Sequence, residues 1–210
     1  MSYSVFPSGP FETNAYILYC PETRDAVFID PAPSSYHSLE NFIEKNNLIP
    51  KGIWITHSHW DHIADTARLK RRYCIPVSIH PEDAENLKDP GSDKLPCWID
   101  IEPVNPQHFF SDGETLTLGQ LTIQVIHTPG HTPGGVSFYL PKEKLLFSGD
   151  TLFAGTIGNL SFPTARPPLM WKSLAILARL PSDTIVLPGH GFSTTIGKET
   201  WLDRAEEHFG

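Results

Sequence analysis

Cysteine is scarce in this chain: three residues in 210, at Cys20, Cys74 and Cys97. The count is odd and no two form a C-x-x-C pair, so a disulfide framework is not expected. That points to a reducing, cytoplasmic setting in which the thiols act as buried small hydrophobes. Positive charge is also in short supply. Sixteen Lys and Arg face 24 Asp and Glu, for a net charge of −8. A nucleic-acid groove would want a basic stripe, so no nucleic-acid partner is expected. A small anionic substrate stays open, because bound divalent ions reverse the local sign. No apolar run approaches the ~20 residues that cross a bilayer. The opening "MSYSVFPSGPFE" lacks a basic region followed by a continuous apolar stretch, so neither a membrane partner nor a signal peptide is expected. No short repeat, low-complexity tract or shift of composition marks a second domain. With 40% apolar and 19% charged residues, the chain reads as one globular domain over 1–210, long enough for a sizeable core.

What is present is a series of short β-rich runs, several bounded by Pro, Gly or Asp. Strands are predicted over 15–20, 26–30, 52–56, 75–79, 114–118, 121–126, 135–140, 144–149 and 184–188. Helices are predicted over 35–46, with Leu39, Phe42 and Ile43 on one face, and over 62–73, 167–180 and 198–208. Alternation of this kind predicts an α/β domain whose sheet or pair of sheets is covered by helices. Hairpin-like spacing over 108–149 adds antiparallel pairing, against a purely parallel sheet. The Pro-rich, aperiodic region 88–106 reads as a surface loop able to lie over a site.

The densest chemistry is Thr56 to His62, "THSHWDH". A predicted strand runs straight into it, and a strand end fixes the entry while the loop lets side chains converge. His57 and His59 are two apart, so in an extended segment they point the same way. Asp61 and His62 follow where the chain turns. The spacing serves two adjacent metals, with His57 and His59 on one and Asp61 and His62 on the other. Three further ligand-type residues share the setting. His131, Asp150 and His190 each stand just past an apolar run, beside glycines that permit tight turns. Isolated surface histidines would have no reason to share it. His37, His108 and His208 read as solvated. His80 and His127 read as hydrogen-bonded packing residues, and Trp60 as packing.

Together "ETNAYIL", "THSHWDH", "PGHTPGG", "SGDTLF" and "PGHG" resemble the metallo-β-lactamase superfamily, and within it single-domain relatives of type II glyoxalase (hydroxyacylglutathione hydrolase). The resemblance implies an αββα sandwich, two mixed sheets flanked by helices, with the site along one edge. It implies that His57, His59 and His131 hold a first divalent ion, that Asp61, His62 and His190 hold a second, and that Asp150 bridges them. Zinc is the first expectation, and the two carboxylates also admit iron or manganese. The catalytic groups implied are Asp61 and Asp150, acting with a metal-bridging hydroxide as nucleophile. Thr56, Thr151 and Asp30 are candidate supports for the ligands, Asp30 serving equally well as a turn residue.

The reaction implied is thioester hydrolysis, with S-lactoylglutathione as the leading substrate. A thiol departs as thiolate without a dedicated acid. No acid stands beside the ligands in sequence, although Tyr139, Lys142 or a water can approach in space. Competing readings are a mononuclear iron persulfide dioxygenase, a lactone or β-lactam hydrolase, and a metal-binding scaffold without turnover. Two departures mark this chain. Only about twenty residues follow "PGHG", so the C-terminal helical region with which two-domain relatives bind glutathione is expected to be absent. Gly158-Asn159-Leu160-Ser161 stands where relatives often carry Gly-Arg and then an acidic residue.

Overall fold

The computed structural model describes residues 2–210. Its first half builds one six-stranded sheet. β1 (Tyr3–Ser8), β2 (Thr13–Tyr19) and β3 (Asp25–Ile29) form an antiparallel meander. The chain then crosses through α1 (Tyr36–Lys45) to β4 (Ile49–Trp54), parallel to β3. Two short helices, α2 (Trp60–Ile63) and α3 (Thr66–Tyr73), lead to β5 (Val77–Ile79). After α4 (Ala84–Lys88) and a long loop comes β6 (His108–Phe109), and both strands continue the parallel order.

The second sheet follows in order. β7 (Thr115–Leu118), β8 (Leu121–His127), β9 (Val136–Leu140) and β10 (Leu145–Gly149) pair antiparallel. Helix α5 (Pro167–Leu177) then carries the chain to β11 (Ile185–Pro188), parallel to β10. β12 (Thr194–Thr195) closes that edge, and α6 (Ala205–Phe209) ends the chain.

Alternation along the strands sorts the side chains into three layers. On β2, Ala15 and Ile17 point to the outer helices, where they meet Leu39 and Ile43 of α1 and Leu69 of α3. Tyr16 and Leu18 point the other way, into the space between the sheets, with Trp54, Val125, Phe138 and Phe147. A third cluster packs Leu146 and Val186 beneath Met170, Leu174 and Leu177 of α5. This is the αββα sandwich, two mixed sheets with helices on both outer faces. Strands covered on both sides explain why "AYIL" and "LLF" are apolar throughout rather than alternating.

Several expectations need correction. The helix predicted over 62–73 is broken near Asp65, whose carboxylate accepts from Tyr36 N at 2.8 Å instead of letting the helix run on. The helix predicted over 198–208 is two 3₁₀ turns followed by α6. β1 was not expected, because Pro7 interrupts it; an edge strand tolerates the missing N–H. Cys20 is buried as expected, but Cys74 and Cys97 are exposed. Cys74 takes a left-handed conformation where α3 ends, and Cys97 rides on the long loop. Among the described residues, no helix is long and apolar enough to cross a membrane.

Phe138 is fully buried between the sheets, with ring centroids 5.2 Å from Phe110 and 5.4 Å from Trp54. Phe138→Ala is expected to lower the unfolding free energy by about 3–5 kcal/mol, measured in urea. A loss under about 1 kcal/mol would contradict this account of the inter-sheet core.

Candidate metal centre

Every predicted site residue lies at one end of the sandwich. Asp30 follows β3, His57 follows β4, His131 follows β8, Asp150 follows β10 and His190 follows β11. β3 and β4 run parallel, as do β10 and β11, so their C-terminal ends share one edge. Asp61 and His62 reach the same place from α2.

The ligand atoms of His57, His59 and His131 all lie within 4.8 Å of one another, and so do those of Asp61, His62 and His190. Asp150 stands between the groups. Its carboxylate oxygens are 3.4 Å from His62 Nε2 and from His131 Nε2, 3.5 Å from His190 Nε2 and 4.0 Å from His57 Nε2. His57 Nε2, His59 Nε2, His131 Nε2 and Asp150 Oδ1 are buried with no hydrogen-bond partner. His62 Nε2 and His190 Nε2 face each other at 3.3 Å, a contact that calls for a proton or a cation between them.

The other side of each ring explains this convergence. His62 Nδ1 donates to Asp30 Oδ2 at 2.9 Å, His131 Nδ1 to Asn159 O at 2.9 Å, and His190 Nδ1 to Phe11 O at 3.1 Å. Thr56 Oγ1 donates to Asp30 Oδ2 at 2.5 Å, so at 3.1 Å it accepts from His57 Nδ1. In four of the five imidazoles the Nδ1 proton is thus committed, and the Nε2 lone pair is aimed inward. Such outer partners fix tautomer and orientation in metal sites.

Asp30 is therefore a support rather than only a turn residue, although it also turns, at φ +49°. Thr56 is a support as well. The Thr151 hydroxyl does not bond a candidate ligand: it donates to Thr128, behind the His131 turn. Tyr139 packs in the outer core beneath α5. His80 and His127 are stacked at 4.1 Å and hydrogen-bonded, as expected. His37, His108 and His208 are exposed.

Sequence reasoning missed four supports. Thr13 Oγ1 donates to Asp61 Oδ2 at 2.7 Å. Asn14 Nδ2 donates to Pro188 O and Gly191 O, and Tyr16 Oη donates to Pro188 O at 2.7 Å, pinning the turn that carries His190. Buried Asp83 accepts from Ser58 N at 3.0 Å and from Gly134 N at 2.6 Å, tying the His57–His59 loop to the His131 loop. The available signal was polar Thr-Asn opening an otherwise apolar strand. Gly189 is required by close approach: a Cβ there would stand 2.1 Å from Asp150 Oδ1 and 2.7 Å from His62 Cε1.

Charge follows from this packing. Burial, with neighbouring imidazoles adding to it, holds His57 well below the ordinary histidine range and His59 down at about 3; burial likewise lowers His131. Burial opposes ionisation of Asp150, but His62, His190 and His131 outweigh it and hold the carboxyl at about 2. Burial also opposes charge on His190, yet hydrogen bonds to Asp150 and Asp61 push it up to about 11. Neutral His57, His59 and His131, together with His62 and His190, whose raised affinity for a proton marks a place for a cation, stand beside ionised carboxylates and form a donor set suited to zinc, iron or manganese.

The sequence pattern described as the metallo-beta-lactamase superfamily matches residues 8–190. The chain belongs to that superfamily, whose members are mostly metal-dependent hydrolases. Among relatives, it is 30% identical over 212 residues to hydroxyacylglutathione hydrolase GloC of Haemophilus influenzae, covering 95% of each chain. Among solved structures, it is similar to BLEG-1 B3 metallo-beta-lactamase at 37% identity, with a TM-score of 0.88, over 99% of this chain and 100% of that one. It is also similar to TTHA1623 in a di-iron-bound form, at 37% identity and a TM-score of 0.83, over 93% and 96%.

The lowered histidines set an acid limit for the metal-free protein. Between their folded values and the ordinary 6.5, the unfolded chain holds protons that folded His57, His59 and His131 refuse. Stability then falls as pH drops below 6.5. His190 and His62 are raised, so below 6.5 they are protonated in both states and add no slope there. Thermal unfolding of metal-free protein is expected at progressively lower temperature from pH 6.5 to pH 4.5. A flat profile over that interval would contradict the buried, neutral assignment.

Proposed function

We propose that the chain is a dinuclear metal-dependent hydrolase of thioesters. His57, His59 and His131 would hold one divalent ion and Asp61, His62 and His190 the other, with Asp150 standing between the two groups. The observation that carries this reading is the set of buried Nε2 and carboxylate atoms aimed at one another without partners. A complete second ligand group favours two ions over the single iron of a persulfide dioxygenase. Zinc is the first candidate.

Two divalent ions at ligands so placed supply an activated water and an electrophile for a carbonyl oxygen. The protein's own groups do the rest. Asp30, Thr56, Asn159 and the Phe11 carbonyl keep the four rings on the required tautomer. Thr13 donates to Asp61 Oδ2, the oxygen that also faces His190 Nε2 at 3.3 Å and His62 Nε2 at 3.5 Å, and so fixes how the carboxylate is presented to the site. Hydrolysis forms a C–O bond and breaks the C–S bond. The thiolate leaves and takes its proton from solvent, so no residue need act as acid. That matches a cluster in which, among the described residues, no Lys, Tyr or Cys bonds to any of the seven ligands.

Purified protein is expected to carry two divalent ions per chain and to hydrolyse S-lactoylglutathione or simpler thioesters faster than a lactone, a β-lactam or glutathione persulfide. Asp150→Ala is expected to lose more activity than the about 10–100-fold typical of an outer partner. One tightly bound ion per chain, or unchanged thioester turnover in Asp150→Ala, would reject the reading.

A further inference from the structure

Aromatic rings surround the cluster on three sides. Phe162 meets His59 edge-on at 5.4 Å and His131 at 5.6 Å. Phe153 lies 6.0 Å from His190. On the third side Trp60, set between His59 and Asp61 in the chain, packs against Phe11 at 5.3 Å and Trp98 at 5.7 Å, while Phe11 and Trp98 meet at 6.0 Å. Trp60 is buried, but Trp98 is 71% and Phe11 48% exposed. Leaving that much aromatic surface in water is unfavourable, and the two rings are held in place by contacts at the edge of the site rather than scattered.

Trp98 rides on the long loop after α4, which Val104 N ties back to Leu87 O. Beneath the loop a cavity of about 400 Å³ opens against Trp60. Leu95, Ile99 and Ile101 line it, and the charged side chains on its wall are Asp93 and Asp100, with neither Lys nor Arg. Glutathione brings two carboxylates, and this wall offers them no cation and two like charges. An apolar or aromatic group gains instead against the exposed faces of Trp98 and Phe11, packed on Trp60, by displacing water from them.

We propose that Phe11, Trp98 and Phe162 form a collar that selects thioesters carrying an apolar or aromatic group over those of glutathione. This rests on the thioester hydrolase reading above and names its substrate class. The apolar group can sit on the acyl or on the thiol side of the substrate, and the same collar chemistry serves either.

The test uses metal-loaded full-length protein. kcat/KM is compared for phenylacetyl-N-acetylcysteamine (apolar acyl), S-acetyl benzyl mercaptan (apolar thiol) and S-lactoylglutathione. At least one apolar substrate is expected to exceed lactoylglutathione by about tenfold or more, the range a hydrophobic pocket contributes. Trp98→Ala is expected to lower that ratio about tenfold, chiefly through KM, and Trp98→Phe to restore most of it. The thioether S-benzyl-N-acetylcysteamine, which cannot be hydrolysed, is expected to bind wild type more tightly than Trp98→Ala by calorimetry. Thioether binding that depends on Trp98, without any thioester turnover, would uphold the collar and reject the hydrolase reading. Thioester turnover with no apolar preference would overturn the collar alone. A wild-type dimer that Trp98→Ala converts to monomer, with the substrate ratio unchanged, would assign the ring to an interface between copies and overturn the collar as well.

Discussion

The structure depends on one electrostatic arrangement: imidazole nitrogens and carboxylate oxygens crowded at a sheet edge, facing one another rather than water. Leaving a buried polar atom unpaired costs about 1–3 kcal/mol, and His57, His59, His131 and Asp150 each do so. Bound cations, as proposed above, would offset that cost. The raised proton affinity of His190 and the lowered affinity of His57 and His59 are two sides of that crowding.

The fold serves this arrangement through strand direction. β3 and β4 in one sheet, and β10 and β11 in the other, end at the same edge. β8 runs antiparallel to β9, which runs antiparallel to β10, so β8 ends there too. Loops leaving five strand ends therefore converge there. What the loops need is close packing, and Gly189 gives it by leaving room for Asp150 and His62. Two buried carboxylates of otherwise different position, Asp30 and Asp83, brace the loops from behind.

Much of this is legible in the sequence because ligand residues announce themselves by position. His57, His59, His131, Asp150 and His190 all follow apolar runs, and a strand end is where the chain leaves the core. The sandwich is legible for a related reason: runs such as "AYIL" and "LLF" have no polar face and must be covered on both sides. Less legible were the features set by tertiary contact. β1 hides behind Pro7, the split between α2 and α3 depends on Asp65 reaching Tyr36, and the burial of Asp83 follows from loops distant in sequence. Asn14 and Tyr16 serve the His190 turn only because β2 lies beside it, which no local pattern reveals. Cys74 and Cys97 have the residue type of a buried site and the position of a surface one.

Seen this way, the protein divides its labour. In the function proposed above, the seven clustered residues would hold the reactive centre, and the loop with Trp98 and the turn with Phe11 would decide what reaches it. The measurement closest to the central claim is an anomalous-difference map from crystals grown with zinc and collected at its absorption edge. The account predicts two peaks roughly 3.5–4 Å apart, one among His57, His59 and His131 and one among Asp61, His62 and His190, with Asp150 touching both. A single peak, or peaks away from these side chains, would contradict it.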